Sequence, residues 1–191
     1  MPARTRLLIR IASVVFILIS VSVLGRWLNR DATQTFNLTN DSAALSNEIA
    51  TNKDNTGLQL AKVELISVDG TTVSTDSFLG TPTIINIWYS TCEPCRRELP
   101  VLASAAEQYG DKVHFVGVNI KDSAKVAKDF ATKYGVNFEI FLDLNGAFIS
   151  SSGISTAPVT LAVNAQGLII AQIAGELSTD KLTALVTELL G

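Results

Sequence analysis

Cys92 and Cys95 are the only two cysteines in 191 residues. Set three positions apart, they have the spacing at which one sulfur can attack a partner and the other can release it, which is dithiol–disulfide chemistry. Zinc is the main rival for a C-x-x-C pair, but a closed structural site needs four ligands. This chain offers no second cysteine pair and one histidine, His114, so no metal site is expected. Arg96 follows Cys95 where a haem attachment motif would place histidine. An inert structural disulfide is the remaining alternative.

The surrounding residues show how such a pair is held. Pro82-Thr83-Ile84-Ile85-Asn86-Ile87-Trp88 is rich in β-branched residues and follows Gly80, which predicts a short buried strand. A helix is expected next: Pro94 fits a first helical turn, and Cys95 to Leu99 contains no strong breaker before Pro100. Cys92 then sits at the helix N-terminus, where free backbone N–H groups and the helix dipole lower its pKa from about 8.5. Cys92 is the expected nucleophile and Cys95, one turn further in, the less exposed resolving thiol.

Flanking runs alternate between strand and helix patterns. Leu58 to Val68 and Thr71 to Val73 read as a hairpin about Asp69-Gly70. Val113 to Ile120 reads as a central strand with His114 at its start, and Asp122 to Tyr134 as an amphipathic helix ended by Gly135. Phe138 to Leu142 is a further strand, Val159–Val163 with Leu168–Ala174 a hairpin, and Thr179 to Leu190 a closing helix.

The stretch Cys92-Glu93-Pro94-Cys95-Arg96-Arg97-Glu98-Leu99-Pro100, following Trp88, resembles the membrane-anchored TlpA/ResA-type thioredoxin-fold proteins. The resemblance runs from about Leu58 to the C-terminus and includes Ala157-Pro158-Val159-Thr160. It implies an α/β thioredoxin-like fold, a central mixed β-sheet flanked by helices, with an N-terminal β-hairpin and a βα insertion between Ile120 and Leu142. It also implies that Pro158, preceded by Ala157, is cis and faces the dithiol, and that Glu98 handles the proton Cys95 must lose. A solvated helix carboxylate is the plainer reading of Glu98. Trp88 reads as core and groove wall, Tyr89 as surface packing, and Arg96 and Arg97 as solvated helix residues. Glu93, between the cysteines, raises the energy of a thiolate and favours a reducing pair. Two departures stand out: Thr91 precedes Cys92 where the family has Trp, and Asn86 replaces the buried acid of classical thioredoxins.

The N-terminus is a different kind of chain. Arg4, Arg6 and Arg10 precede an uncharged run from Ile11 to Gly25. Residues 1–30 are read as a membrane anchor, short of the usual ~20 apolar residues unless flanking arginines snorkel; a cleaved signal peptide is the competing reading. The basic residues before the run imply a single-pass protein of the cell membrane, N-terminus cytoplasmic and dithiol domain extracytoplasmic. Residues 31–57 are polar and poor in large apolar side chains, as a flexible tether would be, leaving 58–191 as the thioredoxin-like domain.

Five of the fifteen basic residues are arginines before Asp31, leaving ten basic against seventeen acidic residues after it, a net of −7. Nucleic acid is therefore not an expected partner, and nothing calls for an oligomer, so a monomer is expected. The expected function is reduction of oxidised client proteins by an extracytoplasmic thiol–disulfide oxidoreductase, fed by a membrane thiol-electron donor, with no cofactor beyond the Cys92–Cys95 disulfide. The resemblance suggests apocytochrome c as client. A disulfide-forming oxidase and a non-enzymatic redox sensor or binding module are the alternatives.

Overall fold

A computed structural model describes residues 52–191. The expected anchor and most of the expected tether lie outside the described residues, among which no helix is long and apolar enough to cross a membrane. In chain order the elements are β1 (Glu64–Ser67), β2 (Thr72–Ser74), β3 (Thr83–Trp88), α1 (Glu93–Tyr109), β4 (His114–Asn119), α2 (Ala124–Lys133), β5 (Glu139–Leu142), α3 (Ala147–Ser152), β6 (Val159–Val163), β7 (Ile169–Ala174) and α4 (Thr179–Leu190).

The strands form one mixed sheet ordered β2-β1-β5-β4-β3-β6-β7. β3 runs parallel to β4 and antiparallel to β6. All six of its residues are buried, which is why apolar residues occupy both of its faces rather than alternating with solvent-facing ones, and Thr83 and Asn86 are the buried polar exceptions. Side chains still alternate between the two faces. Ile84 and Trp88 pack with Leu99, Leu102, Leu182 and Leu185 in one core layer, while Ile85 and Ile87 join Val116, Phe141, Phe148 and Leu161 in the other. This is the thioredoxin-like α/β arrangement that the motif implied.

The expected unit between Ile120 and Leu142 is α2 and β5. β5 extends the sheet by pairing parallel to β4 and antiparallel to β1. Ser123 caps α2, its side chain accepting from the Val126 N–H, and Gly135 at φ 70° takes the left-handed turn that ends it. The leading hairpin is present but shorter than expected: β1 begins at Glu64, and Leu58–Leu60 instead lies against Gly167–Ile169 through backbone bonds and a Gln59–Leu168 bridge.

Three further differences have physical causes. α1 does not stop at Pro100 but continues through it to Tyr109. Pro100 forfeits the N–H bond to the Arg96 carbonyl, but the buried face Cys95, Glu98, Leu99, Leu102, Ala103 and Ala105 continues across it at helical spacing. α3 was not anticipated because Ala147–Ser152 is short and serine-rich; Asp143 holds its start, accepting from the N–H groups of Phe148 and Ile149 at 3.1 and 3.0 Å. Finally, the chain is docked before the expected boundary at Leu58. Asn55 is buried and donates two hydrogen bonds, from its N–H and its Nδ2, to Gln172 Oε1 on β7, so residues 52–57 belong to the folded domain rather than to a tether.

Candidate active site

β3 delivers the chain to the sheet edge, Tyr89–Thr91 turn it, and Cys92 caps α1. The Cys92 Sγ accepts from the Cys95 N–H at 3.3 Å, and Pro94 occupies the first turn, where a missing donor costs nothing. The two cysteines form a disulfide, with Cα atoms 5.3 Å apart. Cys95 is fully buried, as expected, but Cys92 is also only 4 % exposed. In the oxidised state neither sulfur is openly presented.

The Ala157–Pro158 peptide bond is cis. β6 begins at the next residue, and Val159 pairs with Ile87 near the end of β3. Pro158 therefore lies at the same sheet edge as the turn that carries Cys92. Ala157 packs against the core layer containing both cysteines.

Glu98 is not the solvated carboxylate of its plainer reading. It is completely buried, one turn along α1 from Cys95. Its Oε1 accepts from Asn86 Nδ2 at 2.7 Å and its Oε2 from the Leu177 N–H at 2.9 Å. Asn86 also donates to Thr160 Oγ1 at 3.2 Å. Among the described residues no cation pairs with the carboxylate, and burial drives its pKa up from 4.5 to about 7, with the nearby Glu176 charge adding a little; the bonds from Asn86 and Leu177 hold it from rising further. Glu98 can thus gain or lose a proton near neutrality. Alternation places Asn86 on β3 and Thr160 on β6 on the face that α1 covers. The sequence marked Asn86 as a departure but did not pair it with Glu98 or include Thr160. One signal was readable: Glu98 falls in the apolar stripe of Cys95, Leu99 and Leu102.

The charges around the dithiol are more engaged than expected. Glu93, 64 % exposed at its side chain, pairs with Arg96 at 3.0 Å and lies 3.8 Å from Arg97, so its effect on a thiolate is partly offset. Arg96 is no free surface residue: Nε donates to the Ser90 carbonyl at 3.2 Å and the guanidinium lies over Phe130, 5.7 Å from the ring centroid. Arg97 forms a forked pair with Glu176 at 2.6 to 3.1 Å. Trp88 is fully buried and stacks on Phe130 of α2, centroids 5.6 Å apart, in keeping with the core part of its reading; with no exposed surface it lines no open groove. Tyr89 is half-buried, under Lys121 Nζ at 5.0 Å. Thr91 is exposed.

The turn before Cys92 is braced by a residue that the sequence did not mark. Asp122 accepts from the Ser90 N–H at 2.6 Å, from Ser90 Oγ at 2.7 Å and from Asn119 Nδ2 at 2.8 Å. Asn119 Oδ1 in turn accepts from the Lys121 and Asp122 N–H groups. The end of β4 and the start of α2 thus fix the loop that leads into Cys92.

A disulfide capping a helix at the edge of a thioredoxin-like sheet, beside a cis proline and next to a buried carboxylate that titrates near neutrality, defines a thioredoxin-like thiol–disulfide oxidoreductase. The chain belongs to the Redoxin family, whose model matches residues 46–189, and its relatives are ResA-like. It is 27% identical over 115 residues to the thiol–disulfide oxidoreductase ResA of Bacillus subtilis, a match covering 60% of this chain and 64% of that protein, just under two thirds of its length. It is 28% identical over 116 residues to the thioredoxin-like protein YneN of Bacillus subtilis, covering 59% and 68%. Among solved structures, MTB dsbF in mixed oxidised and reduced forms superposes with a TM-score of 0.62 at 30% identity, covering 66% of this chain and 94% of that one. StoA from Bacillus subtilis superposes at 0.57 and 27% identity, covering 66% and 97%.

Proposed function

We propose that this protein reduces disulfides in client proteins outside the cytoplasm, tethered to the membrane by residues 1–30. The carrying observation is the placement of the Cys92–Cys95 pair at the start of α1 with Glu98 buried one turn further on. In the reduced protein, the Cys92 thiolate attacks one sulfur of a client disulfide; a mixed disulfide forms, and the other client sulfur leaves as a thiolate that takes up a proton. Cys95 then loses its proton, its thiolate attacks Cys92 Sγ, and the second client sulfur leaves. The client gains two electrons and two protons, and the enzyme is left as the Cys92–Cys95 disulfide. Glu98, protonating near neutrality, serves as acceptor for the Cys95 proton, directly or through water.

The reducing direction is supported by electrostatics. A strong oxidant needs an unusually stable thiolate, whereas here an uncompensated buried carboxylate lies one turn from Cys95 and disfavours further negative charge. The basic residues before the apolar run support an extracytoplasmic domain, where a membrane thiol donor would have to reload the dithiol. The name of the ResA relative supports the thiol–disulfide chemistry, and the motif resemblance makes apocytochrome c the first client to try.

The deciding experiment is the reduction potential of the Cys92–Cys95 pair, by equilibration with a thiol redox buffer. A value near or below about −270 mV supports a reductant; one near about −120 mV assigns disulfide formation instead. Failure to exchange with any client disulfide would leave a sensor or binding scaffold.

A further inference from the structure

The segment that enters the domain makes one contact out of proportion to its length. Between Gly153, which closes α3, and Pro158 the chain runs as an irregular loop whose Ser155 and Thr156 are exposed. The Asn52 side chain makes five hydrogen bonds to this loop, the longest from Ser155 Oγ to its Oδ1 at 3.4 Å. Its Oδ1 accepts from the Ser155 N–H at 2.7 Å and the Thr156 N–H at 2.8 Å. Its Nδ2 donates to the Thr156 carbonyl at 3.2 Å and to Thr156 Oγ1 at 3.0 Å. One amide thus serves both backbone polar groups of Thr156, as a neighbouring strand would.

Asn52 is itself fixed from behind. The Lys53 N–H donates to the Gly153 carbonyl at 3.0 Å. The Lys53 carbonyl accepts from Gln172 Nε2 at 2.7 Å and Asn55 Nδ2 at 3.1 Å, and Asn55 returns two bonds to Gln172 Oε1. The entering segment is therefore tied to β7 on one side and to the loop leading into Pro158 on the other. Asn52 makes no hydrogen bond to either cysteine.

We propose that Asn52 is a positioning residue: it holds Ser155–Pro158 in the single conformation against which a client chain lies while its disulfide reaches Cys92. This rests on the thiol–disulfide exchange proposed above. It assigns a part in client binding to the root of the N-terminal segment, which would otherwise count as a passive connection. A small disulfide needs only the sulfur and is indifferent to this loop, whereas a polypeptide must be ordered along it.

The test is Asn52→Ala in the full chain, reduced and assayed with insulin and with hydroxyethyl disulfide, together with its reduction potential. The expected result is a KM for insulin raised about tenfold, with kcat, the hydroxyethyl disulfide rate and the potential changed less than about twofold or not measurably. Asn52→Asp keeps the acceptor for both N–H groups and should restore part of the insulin KM. An unchanged insulin KM, or an equal loss with both substrates, would overturn the proposal. Wild-type protein inert toward both disulfides would instead overturn the exchange reading itself, and the role of Asn52 with it.

Discussion

Asn86 Nδ2 lies 2.7 Å from Glu98 Oε1, and both side chains are at least 99 % buried. An amide therefore stands as the donor to a carboxylate that has no cation beside it. Glu98 stays close enough to neutrality to exchange a proton, and the protein carries the cost of burying it.

That cost has a definite pH dependence. With its pKa at 4.5 unfolded and about 7 folded, Glu98 is protonated in the folded state and ionised in the unfolded state between those values. The contribution of Glu98 to stability therefore falls as pH rises through this window, by about 3 kcal/mol in all, and this contribution is flat above and below it. Urea denaturation of the oxidised protein at pH 5 and pH 8 should show this loss. Glu98→Gln should abolish most of it.

The same substitution separates the two chemical steps. Glu98→Gln should leave attack by Cys92 nearly unchanged and slow resolution of the mixed disulfide by about a hundredfold. The wild-type resolution rate should rise with pH about an apparent pKa near 7, and the variant should lose that inflection. Stopped-flow measurement of client release reads this directly; identical profiles would remove Glu98 from the mechanism.

Asn86→Asp places a second carboxyl group beside Glu98. Two buried carboxylates in contact cannot both ionise, so the pair should titrate in two steps, one of them well above the wild-type value. The variant should fold at pH 5 and lose stability steeply toward pH 8, more than wild type does, in thermal melts at both pH values.

Asp122→Ala leaves the Ser90 N–H and hydroxyl without the acceptor they now share. A cost of about 2 kcal/mol is expected, with Asp122→Asn intermediate because one acceptor oxygen remains. Denaturant midpoints read both; equal stability of wild type and alanine variant would show that water replaces the carboxylate freely.

Cys95→Ser should accumulate a stable mixed disulfide between Cys92 and a client, and Cys92→Ser should accumulate none. Non-reducing electrophoresis after mixing with oxidised insulin distinguishes them.

The parts of this protein written locally were readable in its sequence. The strand Thr83–Trp88, the capping Cys92, the turn at Asp69-Gly70 and the stop at Gly135 each follow from a few adjacent residues. What escaped depends on side chains far apart in the chain. Asn52 meets Ser155 and Thr156 across about a hundred residues, and Ser90 meets Asp122 across 32. Pro100 misled because a breaker is a local property, while the face that carries α1 through it is set by the sheet beneath. Glu98 combined both problems: its position in the apolar stripe was visible, but its partners on β3 and after β7 were not.

The near-complete burial of both sulfurs has a kinetic meaning. A small thiol approaching the oxidised form meets little exposed sulfur, which slows its reaction with the pair and leaves the equilibrium between them unchanged. Slow exchange of this kind holds the redox state of the pair apart from that of its surroundings for as long as no faster partner reaches Cys92.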